Sequence, residues 1–227
     1  MTSQRKTAPK ELKKYMKIER LKDALENKRI YLSGQEDQEK WEDGNDRELV
    51  NIYRKQKKLS DVRVTCFNAA ADKYHFWDIF GGRDKGVCLR FNRRKLLANI
   101  KELDGNQKLR GKDVEYYNIK RFEKEGKFEN LAFSKRSFYS DENEYRVICD
   151  VSAGGSLSPR YLRFCGDALE QVYFNSWISH SAYTELRAKY LVVLKNANMG
   201  HVTIHRSRVT SYAKWRDIAQ KIAKFEK

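Results

Sequence analysis

Proline is nearly absent. Pro9 and Pro159 are the only two in 227 residues. No Pro-rich or Gly/Ser-rich stretch interrupts the chain, so the expected organisation is one compact domain over residues 11 to 227. A frayed, basic start is expected over residues 1 to 10. Cysteine is sparse: Cys66, Cys88, Cys149 and Cys165 form no C-x-x-C pair, and three of them sit in apolar, strand-like runs. Free thiols in a reducing cytoplasm are the expectation. No apolar run is long enough to span a bilayer. The opening MTSQRKTAPKELKK lacks the apolar stretch of a secretory signal. A cytoplasmic chain without a membrane partner follows as the expectation. There is also no G-x-x-x-x-G-K-[ST] loop, no G-x-G-x-x-G after a strand, no H-E-x-x-H and no G-x-S-x-G. His201 and His205 fall four apart on an expected strand with no Cys or carboxylate close in sequence, so no metal site is expected.

What the chain has in excess is positive charge, a formal +16 at pH 7. That excess points to a polyanionic partner, a nucleic acid or a nucleotide. Two stretches carry chemistry. The first is FSKRSFYSDENEYRVICDV, Phe133 to Val151. Its second half alternates, with Tyr145, Val147, Cys149 and Val151 on one face and Glu144, Arg146, Ile148 and Asp150 on the other, as in a strand. Ahead of it lie Lys135, Arg136, Asp141 and Glu142. Carboxylates beside cations at a strand head neutralise one another when buried. They form either a structural ion-pair network or a site in which Glu144 acts chemically beside a positioned cation.

The second stretch is YHFWDIFGGRDKGVCLRF, Tyr74 to Phe91. Phe76, Trp77 and Phe80 share one face of a short helix that Gly81 and Gly82 stop. These rings serve either as core or as a stacking wall for a planar ligand. Elsewhere, Leu12, Tyr15, Ile18, Leu21 and Leu25 predict an amphipathic helix over residues 9 to 26, decorated by Lys10, Lys13, Lys14, Lys17 and Lys22. The pattern predicts a strand at 29–33, a helix at 46–58 and a strand through Val62, Val64 and Cys66. A helix through Leu96 and Ile100 and strands at 114–117, 160–165 and 169–174 come next. A helix capped by Ser179 or Ser181, a strand at 202–205 and a Lys-rich helix from Trp215 to Phe225 close the chain. Helices and short strands mix without regular β-α-β units, so the fold class expected is α+β, with a mixed or mainly antiparallel sheet and flanking helices.

Several segments resemble a bacterial family designated domain of unknown function twenty-nine seventy-one. They are KKY at Lys13 to Tyr15, IYLS at Ile30 to Ser33 and WEDGND at Trp41 to Asp46, the last without the family's proline. HFWDIFGGRDKGVCLRF, FSKRSFYSDENEYR and IHRSRV follow in the family's order. A looser resemblance is to the ADP-ribosyltransferase superfamily: a first strand near a Tyr, an aromatic helix, then a Glu at a strand head. That resemblance implies NAD as cofactor, a toxin or phage-defence setting and Glu144 as the glutamate facing the developing oxocarbenium, with Glu142 and Arg146 beside it. It implies Trp77 or Phe80 as the nicotinamide-stacking ring and Lys14, Lys135 and Arg136 as phosphate contacts. Tyr15, Arg29, Ser33 and Tyr139 complete the implied cofactor contacts. The alternatives are a non-catalytic, basic nucleic-acid-binding protein and a structural or interaction subunit.

Overall fold

A computed structural model of the chain describes residues 9–39, 44–103, 109–152, 160–210 and 213–225. The start at residues 1 to 8 and Trp41 of the WEDGND segment lie outside them. The chain opens with strand β1 (Glu11–Lys17), a one-turn 3-10 helix at Ile18–Arg20 and helix α1 (Leu21–Glu26). The helix expected over 9–26 is therefore half strand. The spacing of three from Leu12 to Tyr15 and from Tyr15 to Ile18 fits either structure here, because β1 is buried on both faces and its apolar residues need not alternate. Lys13 and Lys14 do not decorate a solvated helix. Their ammonium groups donate to the carbonyls of Ala70 at 2.7 Å and Cys66 at 3.1 Å.

Strand β2 (Arg29–Tyr31), helix α2 (Gln35–Gln38), helix α3 (Gly44–Gln56) and strand β3 (Leu59–Asn68) follow. Then come α4 (Tyr74–Ile79), β4 (Gly86–Asn92), α5 (Arg93–Leu103), β5 (Leu109–Asp113) and β6 (Glu115–Tyr117). The polar stretch after Asn118 is helix α6 (Ile119–Glu125), started by the Asn118 side chain, which accepts from the Arg121 amide. The remainder is β7 (Ser134–Arg136), β8 (Glu144–Ser152), β9 (Tyr161–Arg163), β10 (Leu169–Phe174), α7 (His180–Asn196), β11 (Thr203–Arg206) and α8 (Ala213–Phe225). Of the two serines expected as the cap of α7, Ser179 is the one that accepts from the Ala182 amide. His201 falls outside β11, so the two histidines do not share that strand.

The architecture is α+β. A seven-stranded sheet runs in the order β11-β10-β4-β1-β3-β8-β5. Its pairings are antiparallel except β10 with β11, which are parallel. Two small sheets pair β2 with β9 and β6 with β7. On one face of the large sheet Leu12, Leu89, Phe91, Val147 and Val172 pack with Leu21 and Leu25 of α1, Leu96 of α5 and Tyr190 and Leu194 of α7. On the other face α3 sets Val50 and Tyr53 over Val62, Val64 and Ile148, while α4 sets Phe76 and Trp77 over Tyr15 and Cys88. β8 thus divides its residues between faces as its alternation predicts, Val147 and Cys149 one way and Ile148 the other.

Candidate functional site: a cationic cleft beside a buried charge cluster

The head of β8 holds a sealed charge cluster. Asn143, in the left-handed conformation at φ 45°, turns the chain between Glu142 and Glu144. Arg146 forks onto two carboxylates. Its Nε and NH2 reach Glu144 at 2.6 and 3.1 Å, and its NH1 and NH2 reach Asp46 of α3 at 2.6 and 2.7 Å. A fifth donation, from NH1 to the Ala132 carbonyl at 3.0 Å, completes the guanidinium. Lys135 of β7 lies 2.8 Å from Glu142, 3.7 Å from Glu144 and 3.8 Å from Asp46. All five side chains are buried. Two cations against three carboxylates leave one proton's worth of imbalance, and Glu142 carries it. Burial pushes its carboxyl up to about 7, with Lys135 pulling only partly the other way. Burial works against the Glu144 charge too, but Arg146, by charge and hydrogen bond, and Lys135 outweigh it and hold that carboxyl down at about 2. For Lys135 burial opposes the proton, while Glu144, Asp46 and Glu142 together raise its affinity above the ordinary value.

Trp77 is fully buried, and its indole N–H donates to Asp72 at 2.8 Å. Asp72 also accepts from the Tyr15 hydroxyl at 2.7 Å and from Ser207 at 3.1 Å. The ring of Tyr15 meets Trp77 edge-on at 5.2 Å. This indole is core. Phe80, one position past α4, is 37% exposed. It stands out because the helix must stop behind it: a Cβ on Gly81 would lie 2.8 Å from the Trp77 carbonyl oxygen, and Gly82 sits at φ +70°.

Phe80 is on the rim of a cleft of about 640 Å³ formed by the end of β1, the start of α1, β2 and β9. Lys14, Lys17, Arg20 and Arg29 supply cations, and Tyr31, Tyr161 and Phe80 supply rings. The groups form a ladder. The Arg29 guanidinium lies 3.9 Å from the centre of the Tyr161 ring, Tyr161 meets Tyr31 edge-on at 5.7 Å, and Arg20 lies 4.9 Å over Tyr31. Arg29 is bound in a fork to Asp23, at 2.6 Å for its shortest contact, and those hydrogen bonds hold the Asp23 carboxyl below its ordinary range. Lys17 and Arg20 are exposed, and no carboxylate holds either one among the described residues. Burial lowers the proton affinity of Lys14, with the nearby Glu144 charge acting the other way. The volume lies within the range of small-molecule sites. Two cations that no carboxylate holds, beside an edge-on pair of tyrosine rings, suit a ligand that has both phosphates and planar bases.

The structure brings together Lys14, Tyr15, Arg29, Ser33 and Phe80 around this cleft. It does not bring Glu142, Glu144, Arg146 or Lys135 there. Those form the sealed cluster against α3. Tyr139 closes over Lys135 at 4.7 Å and accepts from Arg136 at 3.1 Å, so both belong to the outside of the cluster. Sequence reading missed Lys17, Arg20, Tyr31 and Tyr161 as cleft residues and Asp46 as the second partner of Arg146. The first two were hidden by the helix expected over 9–26; Tyr161 is far from Tyr31 in sequence and meets it only through the β2–β9 pairing. Among the described residues no group of three or more His, Cys, Asp or Glu could hold a metal ion. No helix there is long and apolar enough to cross a membrane.

No family model matches the chain, and no curated protein does. Three solved structures of similar shape come from Thermus sp. 2.9. DarT in complex with ADP-ribosylated ssDNA aligns at TM-score 0.43 and 11% identity, over 92% of this chain and 99% of that one. DarT with carba-NAD+ aligns at 0.40 and 9% identity, over 90% and 98%. DarT with NAD+ aligns at 0.38 and 10%, over 87% and 96%. Likeness at this level carries no argument about activity.

Proposed function

We propose that the cleft between β1, α1, β2 and β9 binds NAD and that the chain is an ADP-ribosyltransferase-like protein. The observation that carries the reading is the cleft itself: free Lys17 and Arg20 beside the ladder of Arg29, Tyr161 and Tyr31, with Phe80 at the rim. In this reading Lys17 and Arg20 take the pyrophosphate, Phe80 stacks the nicotinamide, and Tyr31 and Tyr161 face the adenosine half. Transfer breaks the bond between the ribose C1′ and the nicotinamide nitrogen, whose electron pair leaves with nicotinamide. An acceptor nucleophile bonds C1′ and gives up its proton. A fixed carboxylate stabilises the positive charge that develops between those events. Glu144 has the ionised state for that role, and its charge favours the proton on Lys14, whose side chain lines the cleft. Because Arg146 closes over Glu144, the role requires the fork to open toward the cleft when ligand is bound. The toxin or phage-defence setting rests on the sequence resemblance.

A second reading has its own observation. Trp77 and Glu144 are both internal, and both have hydrogen-bond partners, as expected of residues that only hold a core together. One experiment separates the two. NAD is expected to raise the thermal midpoint of the wild type, since a ligand of the native state stabilises it by mass action. Glu144→Gln is expected to keep that shift and lose NAD glycohydrolase or transferase turnover. Turnover unchanged in Glu144→Gln would remove the catalytic assignment, and no midpoint shift at millimolar NAD would remove the cofactor.

A further inference from the structure

Lys13, Lys14 and Lys135 are all drawn out of water, and their partners differ. Lys135 faces Glu142, Glu144 and Asp46, which keep its proton on. Lys13 is buried, donates to the Ala70 carbonyl and has Glu11 at 3.8 Å. Lys14 is half-buried and lines the cleft. Among the described residues no carboxylate lies within ion-pair distance of its amine. Its hydrogen bond goes to an uncharged acceptor, the Cys66 carbonyl at 3.1 Å, and the centre of the Phe67 ring lies 5.9 Å from Nζ. The fold places it there. β1 pairs with β4 along its whole length, from Glu11 to Lys17, but its register with β3 is the single pair Lys13 and Asn68. Further along β3, Ser33 takes the place beside Val64, and the two exchange backbone hydrogen bonds at 2.8 and 2.9 Å. The cleft opens where β1 and β3 part, with Lys14 and Ser33 on its walls. Removal from water is the largest influence on the Lys14 amine and lowers its proton affinity. Arg20 adds to this, while Cys66 of β3 and Glu144 of β8 act the other way.

We propose that Lys14 is a nucleophilic amine and that the cleft captures a phosphorylated aldehyde on it as a Schiff base. A lysine amine attacks only without its proton, and a dry position with no carboxylate beside it favours that form. Lys17 and Arg20, exposed in the same cleft, suit the phosphate. The Nζ lone pair bonds the carbonyl carbon, and the carbon–oxygen π pair moves to the oxygen, which takes up a proton. The nitrogen then forms its second bond to that carbon as the hydroxyl leaves. The two amine protons and the carbonyl oxygen depart as one water, and no oxidant or reductant is consumed. Lys135, held charged by its carboxylates, is unsuited to this step. So is an exposed lysine, whose amine is protonated near neutral pH. The proposal rests on the place of Lys14 in the cleft and stands whether or not the cleft binds NAD.

The test uses pyridoxal 5′-phosphate, a phosphorylated aldehyde on a planar ring. It is added to the full chain near neutral pH at about one equivalent, reduced with borohydride and located by peptide mass spectrometry. Lys14 is expected to be labelled at least about tenfold faster than any exposed lysine, since phosphate anchoring and a free amine act together. A Lys17→Gln/Arg20→Gln double variant is expected to lose at least about tenfold of the rate at Lys14 and none at lysines outside the cleft. Both positions are exposed, so the variant should melt with the wild type. In the wild type, the rate at Lys14 should reach its plateau at a lower pH than the rate at exposed lysines. Label spread evenly over surface lysines, or centred on Lys17, overturns the proposal. So does a Lys14 rate unchanged in the double variant, which would remove the phosphate, and so does a pH profile at Lys14 that matches the exposed lysines, which would remove the free amine.

Discussion

The buried cluster at the head of β8 and the open cleft at the end of β1 are built from the same kinds of residue and behave in opposite ways. In the cluster, Asp46, Glu144 and Arg146 consume one another's hydrogen bonds, and nothing is left over for a ligand. In the cleft, Arg29 is bound by Asp23 and Lys14 by the Cys66 carbonyl, while among the described residues no carboxylate holds Lys17 or Arg20. Burial is the cause of the difference. A charge removed from water must be paired or lose its charge, whereas a charge at a rim keeps its hydration and can exchange it for a phosphate. Chemical readiness therefore lies where pairing is incomplete, and density of charge is a poor guide to it.

The largest effect expected comes from breaking the cluster. Arg146→Met leaves Asp46 and Glu144 facing each other without their shared cation and should cost about 3–5 kcal/mol, read from urea unfolding. A loss below about 1 kcal/mol would show that the cluster is far more hydrated than its burial indicates.

Trp77→Ala comes next. A fully buried indole replaced by a methyl should cost about 3–5 kcal/mol, near the lower end if Tyr15 and Phe76 collapse into the space. NAD binding by the folded fraction should survive, because Trp77 is behind the cleft and not in it. A variant as stable as wild type that has lost NAD would return the indole to the binding wall.

The third prediction uses pH. The folded Glu142 carboxyl titrates at about 7, above its ordinary 4.5. Between those values the unfolded chain has released a proton that the folded chain keeps. Its contribution is therefore fully present below 4.5 and lost as pH rises through 7, a fall on the order of 3 kcal/mol. Glu144 has the opposite sign: held at about 2, it contributes above 4.5 and loses that contribution as pH falls through 2. Unfolding free energy measured from pH 4.5 to 8 should fall for the wild type, and Glu142→Gln should flatten the slope. An unchanged slope in that variant would move the titration to another group.

The smallest stability effect belongs to the cleft. Arg20→Gln, at an exposed and unpaired position, should change stability by less than about 0.5 kcal/mol. If Arg20 holds a phosphate, the same change should weaken NAD at least about tenfold in a binding isotherm, since a charge-assisted contact at a partly enclosed site is worth about 1.5 kcal/mol or more. Equal affinity would take the pyrophosphate away from Arg20.

Much of this was readable from local pattern. The two-residue period of 144–151 gave β8 and divided its faces, the glycines at 81 and 82 ended α4 and exposed Phe80, and Ser179 marked the start of α7. Charge beside charge in SDENEYR announced that the cluster would neutralise itself. Tyr31 and Tyr161 were out of reach, because each is an ordinary strand residue until β2 and β9 pair. Residues 9 to 17 misled for a definable reason. Apolar spacing reports a helix only when one side of the segment faces water, and β1 has no such side. Side-chain periodicity, turn chemistry and net charge are set by neighbours in the chain, so the sequence alone determined the α+β class, most element positions and the excess of cations. Which of those cations are paired is set by distance in space. Only the tertiary structure decided that Lys135 and Arg146 are spent in the core while, among the described residues, no carboxylate holds Lys17 or Arg20 at the surface.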